Sequence, residues 1–235
     1  MNEVNPGSVI GRAWAIYKSQ FGTLIIAAVL LSLITLVAAF LIGPFVGIVS
    51  LIVSLFYAGG VVRLVQDLED GRRDEETSSL FTGVAPVFWQ LLAVAILAGI
   101  AIAIGLVLLI IPGLILITIW AVVIPVVVLE KPGVFAAFGR SRELVRGHGW
   151  PVFGTLIVAW LISIGVGLVA GIIVAAAGGG DAVTAIVNWL VGALTLPLVA
   201  LVTSVLYFRL KATRSEAAAT APEVEPTDWG QQPAT

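Results

Sequence analysis

Apolar runs of about 20 residues, separated by short polar segments, follow one another along most of this chain. An apolar helix of about 20 residues crosses a hydrocarbon core of ~30 Å. We predict six transmembrane helices, at Gly22–Ile42, Phe45–Val65, Trp89–Ile111, Leu114–Leu129, Val152–Ala177 and Ala182–Tyr207. The pattern predicts an all-α, polytopic membrane protein.

The connections between these runs are of two kinds. Short turns at Gly43-Pro44, Pro112-Gly113 and Gly178–Asp181 join successive runs in pairs, and Gly and Pro are typical of chain reversals. The other connections are longer and charged. The runs are therefore expected to form three helical hairpins.

A five-residue string suggests that the hairpins repeat. Phe21–Ile25 recurs as Phe153–Ile157, and Phe88–Leu92 is a weaker counterpart between them. With the spacing of the turns, this predicts a threefold internal repeat (8–75, 76–132 and 133–211) within one transmembrane domain, 1–211. Residues 212–235 lack the apolar content for a core and are expected to be a disordered cytoplasmic tail.

Each unit begins with a segment of helical periodicity. The apolar positions are Ile10, Trp14, Tyr17 and Phe21 in the first unit, Leu80, Val84, Val87 and Leu91 in the second, and Val134, Phe138 and Val145 in the third, where Ser141 interrupts the face. Such spacing places apolar residues on one helix face. We expect three short amphipathic helices at the membrane interface, with basic residues toward lipid phosphates.

Charge placement predicts the orientation. Only 11% of residues are charged and 60% are hydrophobic, and all 12 Lys and Arg residues fall on one side of a six-span arrangement. Basic residues are retained in the cytoplasm. Both termini are therefore predicted to be cytoplasmic.

Pro125 and Pro197 fall inside the fourth and sixth runs. Because proline lacks a backbone N–H and clashes with the preceding turn, each is expected to kink or interrupt its helix.

Few residues offer catalytic or metal-binding chemistry. The chain has no Cys and a single His, His148, so converging metal ligands are lacking. No nucleotide-binding or nucleophile motif is present. The acids of Asp67–Glu76 do not follow the spacing of an EF-hand. We predict no enzymatic activity, no cofactor, no metal and no nucleic-acid partner.

The basic residues are the candidate site. Arg140, Arg142 and Arg146, with Arg12 and Lys18, are predicted to contact lipid phosphates or the acidic groups of a membrane-protein partner. This suits a scaffold or accessory protein. The alternatives are a transporter or scramblase of a lipidic or apolar substrate, which needs no charge at mid-membrane, and an enzyme acting on lipid headgroups.

Several short segments also resemble a known family. They are Ile111–Gly113, Trp120, Pro125–Glu130, Arg140–Gly147, Trp150–Gly154 and Leu206–Leu210. Together they resemble the membrane-domain family named after glycerophosphoryl diester phosphodiesterases, over about residues 8–211. The resemblance implies a bacterial inner-membrane protein. The family's phosphodiesterase domain needs several histidines, so its activity is not expected from a chain with one.

Overall fold

A computed structural model of the chain describes residues 5–71 and 84–219, most of which are helical. The α-helices of this part are α1 (Pro6–Ser19), α2 (Phe21–Ile42), α3 (Val46–Glu69), α4 (Phe88–Leu108), α5 (Ile110–Ile119), α6 (Val123–Glu130), α7 (Val134–Val145), α8 (Gly149–Ala176) and α9 (Asp181–Ala219). Six segments of it are long and apolar enough to cross a membrane, and one of them joins α5 to α6. The prediction of an all-α, multi-pass membrane protein is confirmed.

Successive spans pack as hairpins. Helix α2 packs against α3, α4 against α5, and α8 against α9. Gly43 has a φ of 47° and Gly178 a φ of 67°, the left-handed region that glycine enters without a steric penalty. The predicted turns at these two positions are confirmed.

The middle hairpin turns earlier than predicted. The turn is at Leu109, whose backbone is extended, with φ −157° and ψ 126°. Pro112 and Gly113 therefore belong to the first turns of α5. Gly113 is required there for close packing, because an added Cβ would lie 2.8 Å from the backbone nitrogen of Leu106. The Pro112-Gly113 pair therefore marks a helix start and a helix contact, and the predicted turn there is wrong.

Pro125 follows a true interruption of the fourth span. Helix α5 ends at Ile119, and α6 begins at Val123, with Pro125 as its third residue. The first N–H groups of a helix have no intrahelical acceptor, so proline loses no bond at that position. The break frees the carbonyl of Ile119, which accepts a hydrogen bond of 2.9 Å from the Ser141 hydroxyl.

Pro197, unlike Pro125, does not coincide with an interruption of its helix. Helix α9 continues without interruption from Asp181 to Ala219 and passes through Pro197, whose side chain is buried. Helices α1, α2, α3 and α8 pack along α9, and α6 and α7 also contact it. This lateral packing stabilises the helix despite the missing backbone hydrogen bond.

Two of the three predicted amphipathic helices lie in the described residues, as α1 and α7. Their apolar faces pack against the rest of the protein. The buried residues are Val9, Ala13, Ile16 and Tyr17 in α1, and Ala137, Ser141, Leu144 and Val145 in α7. The predicted face of α1 is therefore displaced: Trp14 and Phe21 remain about half exposed. Small side chains at Val9 and Ala13 allow closer packing than Trp14 would.

The remaining amphipathic helix, predicted in the second unit, includes Leu80, which lies outside the described residues. The other apolar positions of this predicted helix, Val84, Val87 and Leu91, are buried. Val84 and Val87 lie at a 3-10 turn, Ala85–Val87. At the C-terminus, residues 212–219 of the segment predicted as a disordered tail continue α9, and residues 220–235 lie outside the described residues.

The protein core lies toward the helix ends that carry Lys and Arg. The buried residues of α3 begin at Leu55 and extend to Val65, and α6 is buried over most of its length. Near the hairpin turns the apolar side chains lie on the surface, as at Leu41, Ile110 and Ile172. In a bilayer such residues contact hydrocarbon. The helices are thus held together mainly at their basic ends.

Candidate functional site

The predicted site residues divide between two helices. Arg12 and Lys18 lie on α1, Arg140 and Arg142 lie on α7, and Arg146 directly follows α7. Both helices pack against α9. All five residues lie away from the hairpin turns, but their side-chain environments differ.

Arg140 is engaged within the protein. Its Nε lies 2.8 Å from Glu130 Oε2, and its Nη1 lies 3.0 Å from Glu143 Oε2. The hydrogen bond to Glu130 raises the pKa of the Arg140 guanidinium above its ordinary value; partial burial acts in the opposite direction. Arg140 is thus committed to two carboxylates that neutralise it.

Glu130 connects three helices. It is the last residue of α6, and a left-handed residue, Lys131 (φ 50°), ends the helix there. Its Oε2 accepts from Arg140 of α7, and its Oε1 accepts a 2.8 Å hydrogen bond from the buried Tyr207 hydroxyl of α9. Lys211 lies 5.7 Å from the centre of the Tyr207 ring. These contacts fix the α6–α7 elbow against α9.

Arg214 stabilises the end of α7. Its Nη2 lies 2.6 Å from the carbonyl oxygens of Glu143 and Arg146, which belong to the last carbonyl groups of the helix. The Glu143 carbonyl also accepts a hydrogen bond of 3.2 Å from the Arg146 N–H. Sequence reasoning did not identify Glu130, Tyr207 or Arg214 as site residues. For Arg214, the only signal was a basic residue in the segment predicted to be disordered.

Arg12 is also paired, with Glu69 at the end of α3 over 2.9 Å, in a setting where both side chains are well exposed. Lys18, Arg142 and Arg146 differ from it. Their side chains are exposed, and they form no hydrogen bond or ion pair with the part of the chain that the structure describes.

An apolar cavity lies between α5 and the start of α8, and one of its lining residues, Gly147, directly follows Arg146. Its volume is about 750 Å³, within the usual range for small-molecule sites. The residues that line it are Ile111, Leu114, Ile115, Thr118, Ile119, Gly147, Gly149, Trp150, Pro151 and Phe153. The single hydroxyl among them, on Thr118, donates to the Leu114 carbonyl over 2.7 Å. The side chains of the cavity wall therefore offer a ligand few free hydrogen-bond donors or acceptors.

His148 lies between two of the lining residues. Its Nδ1 is buried and makes no hydrogen bond within residues 5–71 and 84–219. The same residues contain no group of three or more His, Cys, Asp or Glu side chains arranged to hold a metal ion. An exposed arginine, Arg146, thus directly precedes the first residue of an apolar cavity that α8 and its approach contribute, and this chemistry suits an amphiphile.

Comparison with known proteins supports membrane localisation. The chain is 31% identical over 114 residues to a UPF0259 membrane protein of Pectobacterium carotovorum subsp. carotovorum (strain PC1), a match that covers 48% of this chain and 45% of the relative. The chain thus covers less than half of that relative, whose name states a membrane protein and no activity. No protein-family model matches the chain, and no solved structure does. The resemblance to the glycerophosphodiesterase membrane domain stays a prediction.

Proposed function

We propose that this multi-pass membrane protein is a non-enzymatic scaffold or accessory protein of the bacterial inner membrane, which binds anionic phospholipid headgroups on the cytoplasmic side. The observation that carries this proposal is the exposure of Arg142 and Arg146, without an intramolecular partner in the described residues, in the segment that directly precedes the cavity residue Gly147. Guanidinium groups bind phosphate oxygens through paired hydrogen bonds.

The orientation in this proposal follows from the basic residues. The Lys and Arg residues that the structure describes lie at the helix ends opposite the three hairpin turns, as expected for cytoplasmic ends. Trp14, Trp89 and Trp150 lie near the same ends with exposed side chains, as in the aromatic belt of a membrane interface. Arginines beside this belt would lie at the depth of the lipid phosphates.

The proposal is tested by the lipids that the protein retains. Each basic residue near an anionic surface contributes about 1 kcal/mol. Loss of both arginines in Arg142→Gln/Arg146→Gln should therefore lower the affinity for anionic lipid roughly 30-fold. The measurement is mass spectrometry of the protein in native lipid discs, counting anionic and zwitterionic lipids per chain.

Two controls test whether lipid is lost because of the charge at these two positions. Arg142→Lys/Arg146→Lys keeps both charges and should retain most of the anionic lipid. Arg12→Gln/Glu69→Gln removes an ion pair without changing the net charge and should leave lipid retention unchanged. If the Gln variant keeps the wild-type lipid complement, the assignment of Arg142 and Arg146 is wrong.

A lipid transporter or scramblase is the second candidate. The apolar cavity and the helix break at 120–122, both next to α5, favour it. It predicts lipid flux in liposomes that contain only this protein. Flux equal to that of protein-free liposomes would eliminate it and leave the binding role.

A further inference from the structure

The cavity between α5 and the start of α8 has an apolar wall and a cationic neighbour at one end. We propose that it is a binding site for one acyl chain of a membrane phospholipid, whose phosphate lies at Arg146. The position of the phosphate rests on the proposed function. The position of the acyl chain rests on the cavity alone.

The chemistry of the wall selects an aliphatic occupant. Of the residues that line the cavity, only Thr118 and Trp150 carry a polar side-chain group, and the Thr118 hydroxyl is already bonded to Leu114. A polar ligand would lose its hydrogen bonds to water without replacement, at a substantial cost. An acyl chain has no such bonds to lose.

The cavity opens toward the surrounding bilayer. Ile111 and Ile115, which line it from α5, are 70% and 54% exposed, and Trp150, which lines it from α8, is 84% exposed. These residues belong to segments long and apolar enough to span a membrane. A lipid can therefore enter sideways, without passing through water.

The two ends of the cavity match the two parts of a phospholipid. Ile111 lies next to the hairpin turn at Leu109, and the wall from Ile111 to Ile119 rises about 12 Å along α5. Gly147 and Trp150 lie at the other end, and Gly147 directly follows the exposed Arg146. The chain would lie along α5, with the phosphate at the basic end.

Gly149 allows the cavity to be filled with little strain. A Cβ at this first residue of α8 meets no heavy atom within 4 Å, so Gly149→Leu should fold and occupy part of the volume. Ile115→Trp fills the cavity from the opposite wall. Gly171→Leu is the matched control, because Gly171 lies on the same helix with equally open space and does not line the cavity.

The experiment uses phosphatidylglycerol and phosphatidylcholine that carry a photoactivatable group on one acyl chain. The full-length protein is reconstituted with each lipid and irradiated, and the labelled peptides are identified by mass spectrometry. We expect label concentrated on residues 111–119 and 149–153. Gly149→Leu and Ile115→Trp should each reduce that label at least fivefold, whereas Gly171→Leu should leave it unchanged.

Three results would overturn the proposal. The first is label spread evenly over the exposed faces of α2 and α8. The second is unchanged label in both cavity-filling variants. The third is a cross-link between two copies of the chain at the cavity, which would identify a second copy as the occupant.

The Arg142→Gln/Arg146→Gln variant separates this proposal from the proposed function. If it retains the preference for phosphatidylglycerol while Gly149→Leu loses the cavity label, the headgroup role fails and the acyl-chain site stands. If the preference disappears and the cavity label never forms, the headgroup role stands and the acyl-chain site fails. Enriched label in wild type that only the cavity-filling variants lose supports the acyl-chain site.

Discussion

The carboxylate of Glu130 gives a measurable prediction about stability. Tyr207→Phe removes the hydroxyl that donates a 2.8 Å hydrogen bond to the Glu130 carboxylate. The aromatic ring, whose centre lies 5.2 Å from that of Phe208, stays in place. A hydrogen bond to a charged group contributes about 1.5–3 kcal/mol. Tyr207 is fully buried, but the Glu130 side chain is 21% exposed, so water can partly replace the lost donor. We expect the free energy of unfolding to fall by about 1.5 kcal/mol.

A double-mutant cycle isolates this contact. Tyr207→Phe, Glu130→Gln and the double variant are unfolded by denaturant in detergent micelles, and the free energies are compared. We expect a coupling energy of about 1 kcal/mol or more. Tyr57→Phe is the control: its hydroxyl bonds the Leu24 carbonyl, so its effect should add to that of Glu130→Gln. Tyr207→Phe within about 0.3 kcal/mol of wild type, or additive with Glu130→Gln, would refute the reasoning.

Helix packing, the helix break and membrane orientation each allow a further test. Gly113→Ala should lower the free energy of unfolding by about 1–3 kcal/mol, because the added Cβ meets the preceding helix. Gly99→Ala is the control, because a Cβ there meets open space and should not destabilise the protein. Equal effects of the two substitutions would contradict this. Ser141→Ala leaves a carbonyl at the helix break unbonded and should cost about 1–3 kcal/mol in the same assay; a loss under 0.5 kcal/mol would show that the bond contributes little. In this cysteine-free chain, an impermeant maleimide should label Ala177→Cys in intact cells and Lys211→Cys only after permeabilisation; the opposite result would reverse the topology.

Proline occupies two different structural positions in this chain. Pro112, Pro125 and Pro151 are each the third residue of a helix, where the missing N–H has no cost, whereas Pro197 is enclosed in a continuous helix. The same residue type therefore marks a helix start or a tolerated interior position. Only the neighbouring helices distinguish the two, so a turn was predicted at Pro112 where a helix begins.

The amphipathic pattern identified α1 and α7 but misplaced the buried face of α1. Helical periodicity reports which residues share a side, and Ile10, Trp14 and Tyr17 do share one. It does not report how closely a neighbouring helix approaches. Helix α1 packs through Val9 and Ala13, whose small side chains permit that approach, and Trp14 is displaced to the surface.

Hydrophobicity by itself determined the all-α class and the six spans, because membrane insertion depends on a sum over consecutive residues. The alternation of short turns with longer charged connections determined the pairing of the spans into hairpins. Only the tertiary structure decided which polar groups are paired, because the packing of the helices determines which partners come within reach. Arg12 and Glu69 are 57 residues apart, and Glu130 and Tyr207 are 77 apart. Arg140 and Arg142 look equivalent along the chain, yet folding commits the first to two carboxylates and leaves the second exposed. The apolar cavity likewise exists only where α5 and α8 meet.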